Sequence, residues 1–284
     1  MLRVGVHRNN LHLTLARTLF PKERLIEWTL YDDGRTTGDL IRAGAIDVGG
    51  TGSTPPLVAQ AAGVDLVYVA ASAARPANGA ILVRAELDIG SIEQLAGKRI
   101  ALIEGSFHTY LLAALAEAKG LTLNAFQRVD LAPAASVEAL RSGEVDAWIG
   151  MDPHLGAELA RGGVRVLPES AGAIPNRSLF WASREAALKR ADELRALLKL
   201  LASVAPAVAD RPDALALTLA ASGDADEAQW RKVLASRDWA LQSADQAVLA
   251  EQQHEADTLA RNGALPRVIT VADAAWTSPR SIAA

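Results

Sequence analysis

A run of glycines and hydroxyl residues at positions 49–56 has the composition of an anion-binding loop. The run reads Gly-Gly-Thr-Gly-Ser-Thr-Pro-Pro and lies between an apolar strand pattern and a helical pattern. Glycines let a ligand approach the backbone, and a helix N-terminus with nearby hydroxyls attracts anions. Because the two prolines lack N–H groups, we expect the donors to come from Thr51, Gly52, Ser53 and their neighbour Thr54. The alternative is a plain strand-to-helix turn.

Three further side chains lie in loops of similar character. Ser106 follows a glycine and precedes a helical pattern, so it can cap that helix and donate to an anion. His108 falls in the first turn of the same helix and is either a ligand contact or a solvated polar residue. Asp152 precedes a proline and is either a cap at the start of a helix or a direct ligand.

Positive charge near these loops is sparse. Arg8, Arg35 and Arg177 are the basic residues nearest the predicted loop mouths. Each is either a surface charge or a clamp on a bound anion, since guanidinium groups bind oxyanions well.

Other chemistries lack their residues. The chain has 284 residues and no cysteine, so thiolate nucleophiles, disulfides and thiolate metal sites are excluded. The five histidines show no metal-ligand spacing, and no nucleophile-elbow, Walker or dinucleotide-binding motif is present. We therefore expect no metal, no cofactor and no catalysis. A net charge of −4 without a basic run argues against a nucleic-acid partner.

The elements that must position these loops alternate between strand and helix. Hydrophobic periodicity predicts strands at 3–6, 25–30, 45–48, 66–71, 80–83, 99–103, 129–131, 145–149, 164–167 and 178–182. Helical patterns separate most of these strands, and long helices are predicted at 185–209, 212–221, 225–237 and 244–262. No apolar run reaches the ~18 residues of a membrane span.

Two segments of the chain repeat one another. Residues 3–6 match 99–102 at an offset of 96 (99 − 3), and residues 44–47 match 143–146 at an offset of 99 (143 − 44). Similar strand–helix blocks predict two open α/β lobes, whose ligands bind beyond the carboxyl ends of the strands. If the lobes face each other, four loops line one cleft, namely residues 7–10, 49–54, 105–108 and 150–154.

The repeat predicts three segments along the chain. Residues 1–88 form the first part of lobe 1, and residues 89–175 form lobe 2. Residues 176–284 return to lobe 1 with one strand and the C-terminal helices.

Several motifs together resemble one protein family. They are Gly-Ala-Ile-Asp with Gly-Thr-Gly-Ser-Thr-Pro-Pro-Leu-Val-Ala-Gln-Ala-Ala-Gly at 44–63, Leu-Ala-Gly-Lys-Arg-Ile-Ala at 95–101 with Gly-Ser at 105–106, Gly-Glu-Val-Asp-Ala-Trp at 143–148 with Asp-Pro at 152–153, and tail segments at 243–257 and 271–276. This combination covers nearly the whole chain and resembles the periplasmic aliphatic sulfonate-binding proteins of ABC importers.

The resemblance implies a type II periplasmic-binding-protein fold with two crossovers as its hinge. It implies a periplasmic monomer that binds a sulfonate or similar organic anion and docks on a membrane permease. No leader-like region precedes the first predicted strand, so we expect either a cytoplasmic protein or one from which a leader has been removed, and the resemblance favours the second. The implied anion contacts are Asn9 or Asn10, Gly52, Ser53, Ser106 and His108.

The chain departs from the family at two positions that flank the Asp-Pro pair. Met151 stands where the family often has an aromatic residue, and so does His154. The family's usual first loop is also replaced here, by His-Arg-Asn-Asn at 7–10. The tail of the ligand therefore meets different surfaces, and nitrate, taurine or a thiamine-precursor pyrimidine remain alternative ligands.

Two alternatives come from other classes of protein. A cofactor-biosynthetic enzyme on the same fold would use His108 or Asp152 for catalysis. A transcription regulator would need a DNA-binding segment before residue 1, where we expect none.

Overall fold

Two mixed β-sheets organise the chain in a computed structural model that describes residues 1–277. The first sheet has six strands, which are β1 (Leu2–His7), β2 (Ile26–Tyr31), β3 (Val48–Thr51), β4 (Leu66–Ser72), β10 (Leu179–Ser183) and β11 (Leu241–Ser243). The second sheet has five strands, which are β5 (Ala80–Arg84), β6 (Arg99–Leu102), β7 (Gln127–Asp130), β8 (Ala147–Gly150) and β9 (Val164–Val166). The last seven residues of the predicted 176–284 segment lie outside the described residues.

Helices cover both sheets. Those before the return strand β10 are α1 (Leu11–Leu19), α2 (Thr37–Arg42), α3 (Thr54–Ala61), α4 (Phe107–Glu117), α5 (Pro133–Ser142) and α6 (His154–Arg161). Those after it are α7 (Arg184–Lys189), α8 (Ala191–Ala202), α9 (Val204–Asp210), α10 (Pro212–Ala220), α11 (Glu227–Ala235) and α12 (Gln246–Arg261).

The two sheets share one pairing order. The first runs β2-β1-β3-β10-β4, with β11 added at its edge, and the second runs β7-β6-β8-β5-β9. The strands at equivalent places also pair with the same parallel or antiparallel sense. Each sheet with its helices is an open α/β lobe, and the molecule has the two-lobed type II periplasmic-binding-protein fold.

One side-chain contact is repeated in both lobes. The backbone N–H of Arg3 donates to Asp47 Oδ2 at 2.8 Å, and the N–H of Arg99 donates to Asp146 Oδ2 at 2.9 Å. In each case the aspartate N–H donates back to the arginine carbonyl at 2.8 Å. These pairs join β1 to the residue before β3 and β6 to the residue before β8, so the same strand pairing in each lobe uses the same two residue types.

The chain exchanges one strand between the lobes. Strand β5 pairs antiparallel with β8 and β9 in the second sheet, whereas β10 takes the equivalent place in the first sheet. The crossovers are therefore residues 73–79 and 167–178. The predicted boundary at residue 88 differs from this, because β5 is apolar up to its last residue, Arg84, and its pattern does not show which sheet it joins.

In the tail, the structure corrects one predicted helix and adds one strand. The helix predicted at 185–209 is three helices, broken at Arg190 (φ −129°, ψ 37°) and at Ser203. Strand β11 was not predicted, because its three half-exposed residues carry no periodic signal. It pairs with β4 through Gln242 and Ala71 and extends the first sheet.

The C-terminal helix α12 joins the two lobes. It packs on α3 of the first lobe and on α4 of the second. Beside α4, Arg261 Nη2 pairs with Glu117 Oε2 at 2.9 Å, and Asn262 Oδ1 accepts from the N–H of Leu123 at 3.0 Å. The largest apolar cluster includes side chains of both lobes and of this helix.

No helix within residues 1–277 has the length and apolar character needed to cross a membrane.

Candidate functional site

A cleft between the lobes encloses a cavity of about 320 Å³. The loops after β1, β3, β6 and β8 all reach it, because the carboxyl ends of these strands point toward the gap between the sheets. The four loops that the internal repeat predicts to meet do so. Six of the predicted site residues line the cavity, namely Asn9, Asn10, Thr51, Gly52, Ser106 and His108.

Asn10 presents a buried amide. Its Oδ1 accepts from the N–H of Leu13 at 3.1 Å and caps α1, and the residue is only 2% exposed. Nδ2 has no acceptor among the described residues. Gly50 allows this placement, because a Cβ there would lie 2.7 Å from Nδ2. The amide N–H therefore remains available for a ligand oxygen.

His108 is held in one tautomer. Its Nδ1 accepts from the N–H of Ile103 at 3.1 Å, so the ring proton is on Nε2. Nε2 has no partner within the described chain, and the residue is 2% exposed. Burial lowers the pKa of His108 to about 3. The ring is therefore a neutral hydrogen-bond donor near pH 7 rather than an imidazolium.

Ser106 is the N-cap of α4, as the sequence predicts. Its Oγ accepts from the N–H of His108 at 3.2 Å and donates to the carbonyl of Ile103 at 2.7 Å. The hydroxyl proton is thus already used, so this residue fixes the loop that holds His108. A ligand would meet it as an acceptor or through the backbone.

Thr51 has a similar supporting position. Its Oγ1 donates to the carbonyl of Gly52 at 2.8 Å and accepts from the indole Nε1 of Trp181 at 3.1 Å. Gly52 has open space in front of its backbone, since a Cβ there would meet only Phe107, at 3.9 Å. The loop therefore offers the cleft its backbone more readily than its hydroxyl.

Two predicted residues lie away from this cavity. Ser53 lines a smaller cavity beside α12, where its carbonyl accepts from Gln252 Nε2 at 3.2 Å. Asp152 lines another neighbouring cavity, and its Oδ1 accepts from the N–H of Gly156 at 3.0 Å. Of the two roles predicted for Asp152, helix cap or direct ligand, its contact in the structure corresponds to the cap.

Arg75 is the cleft residue that sequence reasoning missed. It lies in the first crossover, and its Nε donates to the carbonyl of Asn176 in the second crossover at 3.1 Å. No carboxylate lies within 4.0 Å of its guanidinium in the described structure. Burial, with the nearby charge of Arg237, lowers the pKa of Arg75 to about 9, so it stays cationic near neutral pH.

The three arginines that the sequence analysis placed near the loop mouths all form ion pairs. Arg177 pairs with Glu251 at 2.7 Å beside the smaller cavity, and Arg8 pairs with Asp224. Arg35 lines the cleft mouth and pairs with Asp33 and Asp130, each at 2.8 Å.

Acidic groups gather at the same mouth. Asp32, Asp33 and Asp130 all line the cavity. Burial favours the neutral form of Asp33, but its hydrogen bonds with Arg35 prevail and keep its pKa below the usual value. The mouth is therefore acidic, whereas the interior carries Arg75 and neutral donors.

Metal binding has no support in the described part of the chain. No group of three or more His, Asp or Glu side chains there could hold a metal ion.

Two α/β lobes joined by two crossovers, with a cleft between them, define the class of proteins with the type II periplasmic-binding-protein fold. The chain belongs to the family described as NMT1/THI5 like, which matches residues 26–215. It is 36% identical over 203 residues to a protein of Escherichia coli (strain K12) that is assigned as an aliphatic sulfonates-binding protein. That alignment covers 69% of this chain and 63% of the relative, which is less than two thirds of the relative's length.

Two solved structures are similar over nearly the whole chain. The periplasmic aliphatic sulphonate binding protein SsuA from Escherichia coli has a TM-score of 0.85 and 26% identity, covering 100% of this chain and 94% of that one. The alkanesulfonate-binding protein SsuA from Xanthomonas axonopodis pv. citri, bound to MOPS, has a TM-score of 0.83 and 29% identity. That match covers 97% of each chain.

Proposed function

We propose that this chain is the solute-binding component of an ABC importer and that it binds an aliphatic sulfonate in the cleft. The observation that carries this is Arg75, whose guanidinium lines the cleft and has no carboxylate within 4.0 Å in the part of the chain that the structure describes. A cation taken partly out of water without an opposite charge is costly, and a bound anion would supply that charge. The names of the relatives in Escherichia coli and Xanthomonas support a sulfonate as that anion.

The donors around Arg75 suit a sulfonate group. A sulfonate has three acceptor oxygens and no proton to give, so it needs donors only. Asn10 Nδ2 and His108 Nε2 are neutral donors without partners among residues 1–277, and both residues line the same cavity as Arg75. The cavity of about 320 Å³ exceeds what an inorganic anion such as nitrate fills and lies in the ~300–1,000 Å³ range of organic-ligand pockets.

We infer binding without turnover. His108 is held neutral by burial and has its Nδ1 engaged, so it is a poor proton shuttle. Asp152, the other candidate for catalysis, lies outside the main cavity and caps a helix. The chain has no cysteine nucleophile. Ligand binding then acts by shifting the lobes toward the closed form.

The cellular setting follows from the same proposal. We infer a periplasmic monomer whose closed form docks on a membrane permease, in line with the periplasmic protein of Escherichia coli that it resembles. Sedimentation of the purified chain tests the monomer, and sulfonate uptake into vesicles that contain the permease tests the docking.

Calorimetry and thermal shift with a ligand panel test the function. The panel contains alkanesulfonates, taurine, a sulfate ester, nitrate and a neutral pyrimidine. We expect sulfonates to bind most tightly and to be recovered unchanged. If only the pyrimidine raised the melting temperature, or if the ligand were turned over, the proposal would fail.

Arg75→Gln tests the site within that panel. Removal of a charged hydrogen-bond partner costs ~1.5–3 kcal/mol, so we expect about a ten-fold or greater loss of sulfonate affinity. Arg24→Gln is the matched control, because Arg24 is exposed and lies outside the cleft. Equal affinity of the two variants would remove Arg75 from the site.

A further inference from the structure

A second cavity of about 90 Å³ adjoins the cleft. We call it the side cavity, and it shares Asn9, Pro133 and Met151 with the cleft. Both lobes build it, since Trp230 and Arg237 come from the first lobe and Asp152 comes from the second. A ligand that fills the cleft can therefore extend into this space when the lobes are closed.

Three polar side chains of the side cavity lack partners. They are Thr14, Trp230 and Arg237, whose Oγ1, Nε1 and Nε atoms are buried without a hydrogen bond among the described residues. Trp230 is only 4% exposed. Buried donors in proteins are nearly always satisfied, so three unsatisfied groups around one cavity indicate a missing acceptor.

Arg237 in the side cavity also lacks an ion-pair partner. Among the described residues no carboxylate lies within 4.0 Å of Arg237, although its guanidinium carbon lies over the ring of Trp239, 5.9 Å from the centroid. The other charged groups named for the side cavity have partners. Arg8 pairs with Asp224, and Asp152 accepts from the N–H of Gly156 in the first turn of α6. Burial lowers the pKa of Arg237 to about 10, and its nearness to Asp152 opposes this. It therefore remains a cation near neutral pH.

We propose that the side cavity is a second subsite that binds a carboxylate on the far end of the ligand. A carboxylate offers acceptors to the indole N–H, the threonine hydroxyl and the guanidinium at once. This inference rests on the proposed function, since the sulfonate end occupies the cleft at Arg75. The substrate class is then a sulfonate that carries a carboxylate at its other end.

The test compares two matched series of straight-chain sulfonates by calorimetry. One series ends in a methyl group and the other ends in a carboxylate, at increasing chain length. We expect one chain length of the carboxylate series to bind about ten-fold or more tightly than its methyl counterpart, as expected for a charged hydrogen-bonding group. No preference at any chain length would overturn the subsite.

Two variants locate the effect. Arg237→Gln should remove the preference for the carboxylate, measured as the ratio of the two affinities in the same variant, because that ratio cancels any effect of the lost charge on Arg75. Trp230→Phe keeps an aromatic ring and removes the indole N–H, so it should reduce the preference in part. Arg231→Gln is the matched control, because Arg231 is on α11 beside Trp230 but does not line the side cavity.

The outcomes separate the two proposals. If methyl-ended sulfonates bind but carboxylates gain nothing, only the subsite fails. If no sulfonate of either series binds, the sulfonate function itself fails. A preference that persists unchanged in Arg237→Gln, with its circular dichroism intact, would also exclude this subsite.

Discussion

Arg35 of the first lobe donates from Nη1 to Asp130 Oδ2 of the second lobe, across the mouth of the cleft, at 2.8 Å. The same guanidinium holds Asp33 in its own lobe. This contact links the two lobes at the mouth of the cleft. Because both partners are about 40% exposed, its direct contribution to stability is small, ~0–1 kcal/mol. We expect the contact to favour closure of the cleft, because moving the lobes apart would break it.

Asp130→Asn removes the link between the lobes and leaves Arg35 paired with Asp33. We expect it to weaken ligand binding by a factor of about two to five, the equivalent of a surface ion pair, through a lower population of the closed form. The effect should shrink in high salt, where exposed charges are screened. Calorimetry at low and high salt measures this.

Arg35→Gln tests whether Arg35 only links the lobes or also contacts the anion. If it only links the lobes, the loss of ligand affinity should be similar to that of Asp130→Asn. A loss of about ten-fold or more in Arg35→Gln alone would instead show that Arg35 contacts the anion. Native affinity in both variants at low salt would show that the contact does not bias closure.

Two substitutions separate the roles of the two ring nitrogens of His108. Asn places an acceptor near Nδ1 and removes the Nε2 donor, whereas Gln retains a donor near Nε2. We expect His108→Asn to weaken sulfonate binding by ~1 kcal/mol or more and His108→Gln to weaken it less. His254→Gln on exposed α12 surface is the control. If Asn is tolerated and Gln is not, the Nδ1 contact with Ile103 matters and the Nε2 donor does not.

Glu255 predicts a dependence of stability on pH. It is 3% exposed, and burial raises its pKa from 4.5 to about 7 despite hydrogen bonds that include one from Thr54 Oγ1 at 2.5 Å. The folded state therefore holds a proton that the unfolded state releases at lower pH. This contribution to stability is complete below the unfolded pKa and is lost as pH rises through about 7.

Glu255→Gln isolates that contribution. From acid to mildly alkaline pH, the native free energy of unfolding should fall by roughly 3 kcal/mol relative to the variant. The buried histidines titrate alike in both proteins, so the difference cancels them. Urea unfolding across this range is the measurement. A difference that stays constant with pH would contradict the raised pKa.

The serines of the two glycine-rich loops should behave differently. Ser106→Ala removes the cap of α4 and should lower the free energy of unfolding by ~1 kcal/mol, and sulfonate affinity should fall because His108 loses its support. Ser53 faces the smaller cavity, so Ser53→Ala should leave affinity within about two-fold, below the ~1 kcal/mol of a lost hydrogen bond. Melting curves and calorimetry test both.

Ser183→Ala is the matched control for Ser106→Ala. Ser183 Oγ caps α7 by accepting from the N–H of Ala186 at 3.1 Å and does not line the cleft, so its loss should lower stability without changing affinity. If Ser53→Ala weakened binding as much as Ser106→Ala, the ligand would reach the loop from the side of α12.

The sequence by itself determined the two-lobed architecture and the loops that meet in the cleft. The repeat of Arg3 and Asp47 at Arg99 and Asp146 is visible in the sequence because both lobes use the same strand–helix pattern, although the contact itself spans 44 residues in one lobe and 47 in the other. The capping role of Ser106, by contrast, is local. The absence of cysteine likewise excluded thiolate chemistry from composition alone.

Only the tertiary structure decided which charges occupy the cleft. Arg75 lies in a crossover with no periodic pattern, and its place depends on β5 joining the second sheet. The contact between Thr54 and Glu255 spans 201 residues, and the side cavity combines α1, α11 and the loop after β8. Such groupings result from packing between distant segments, whereas local periodicity reports only the conformation of neighbouring residues.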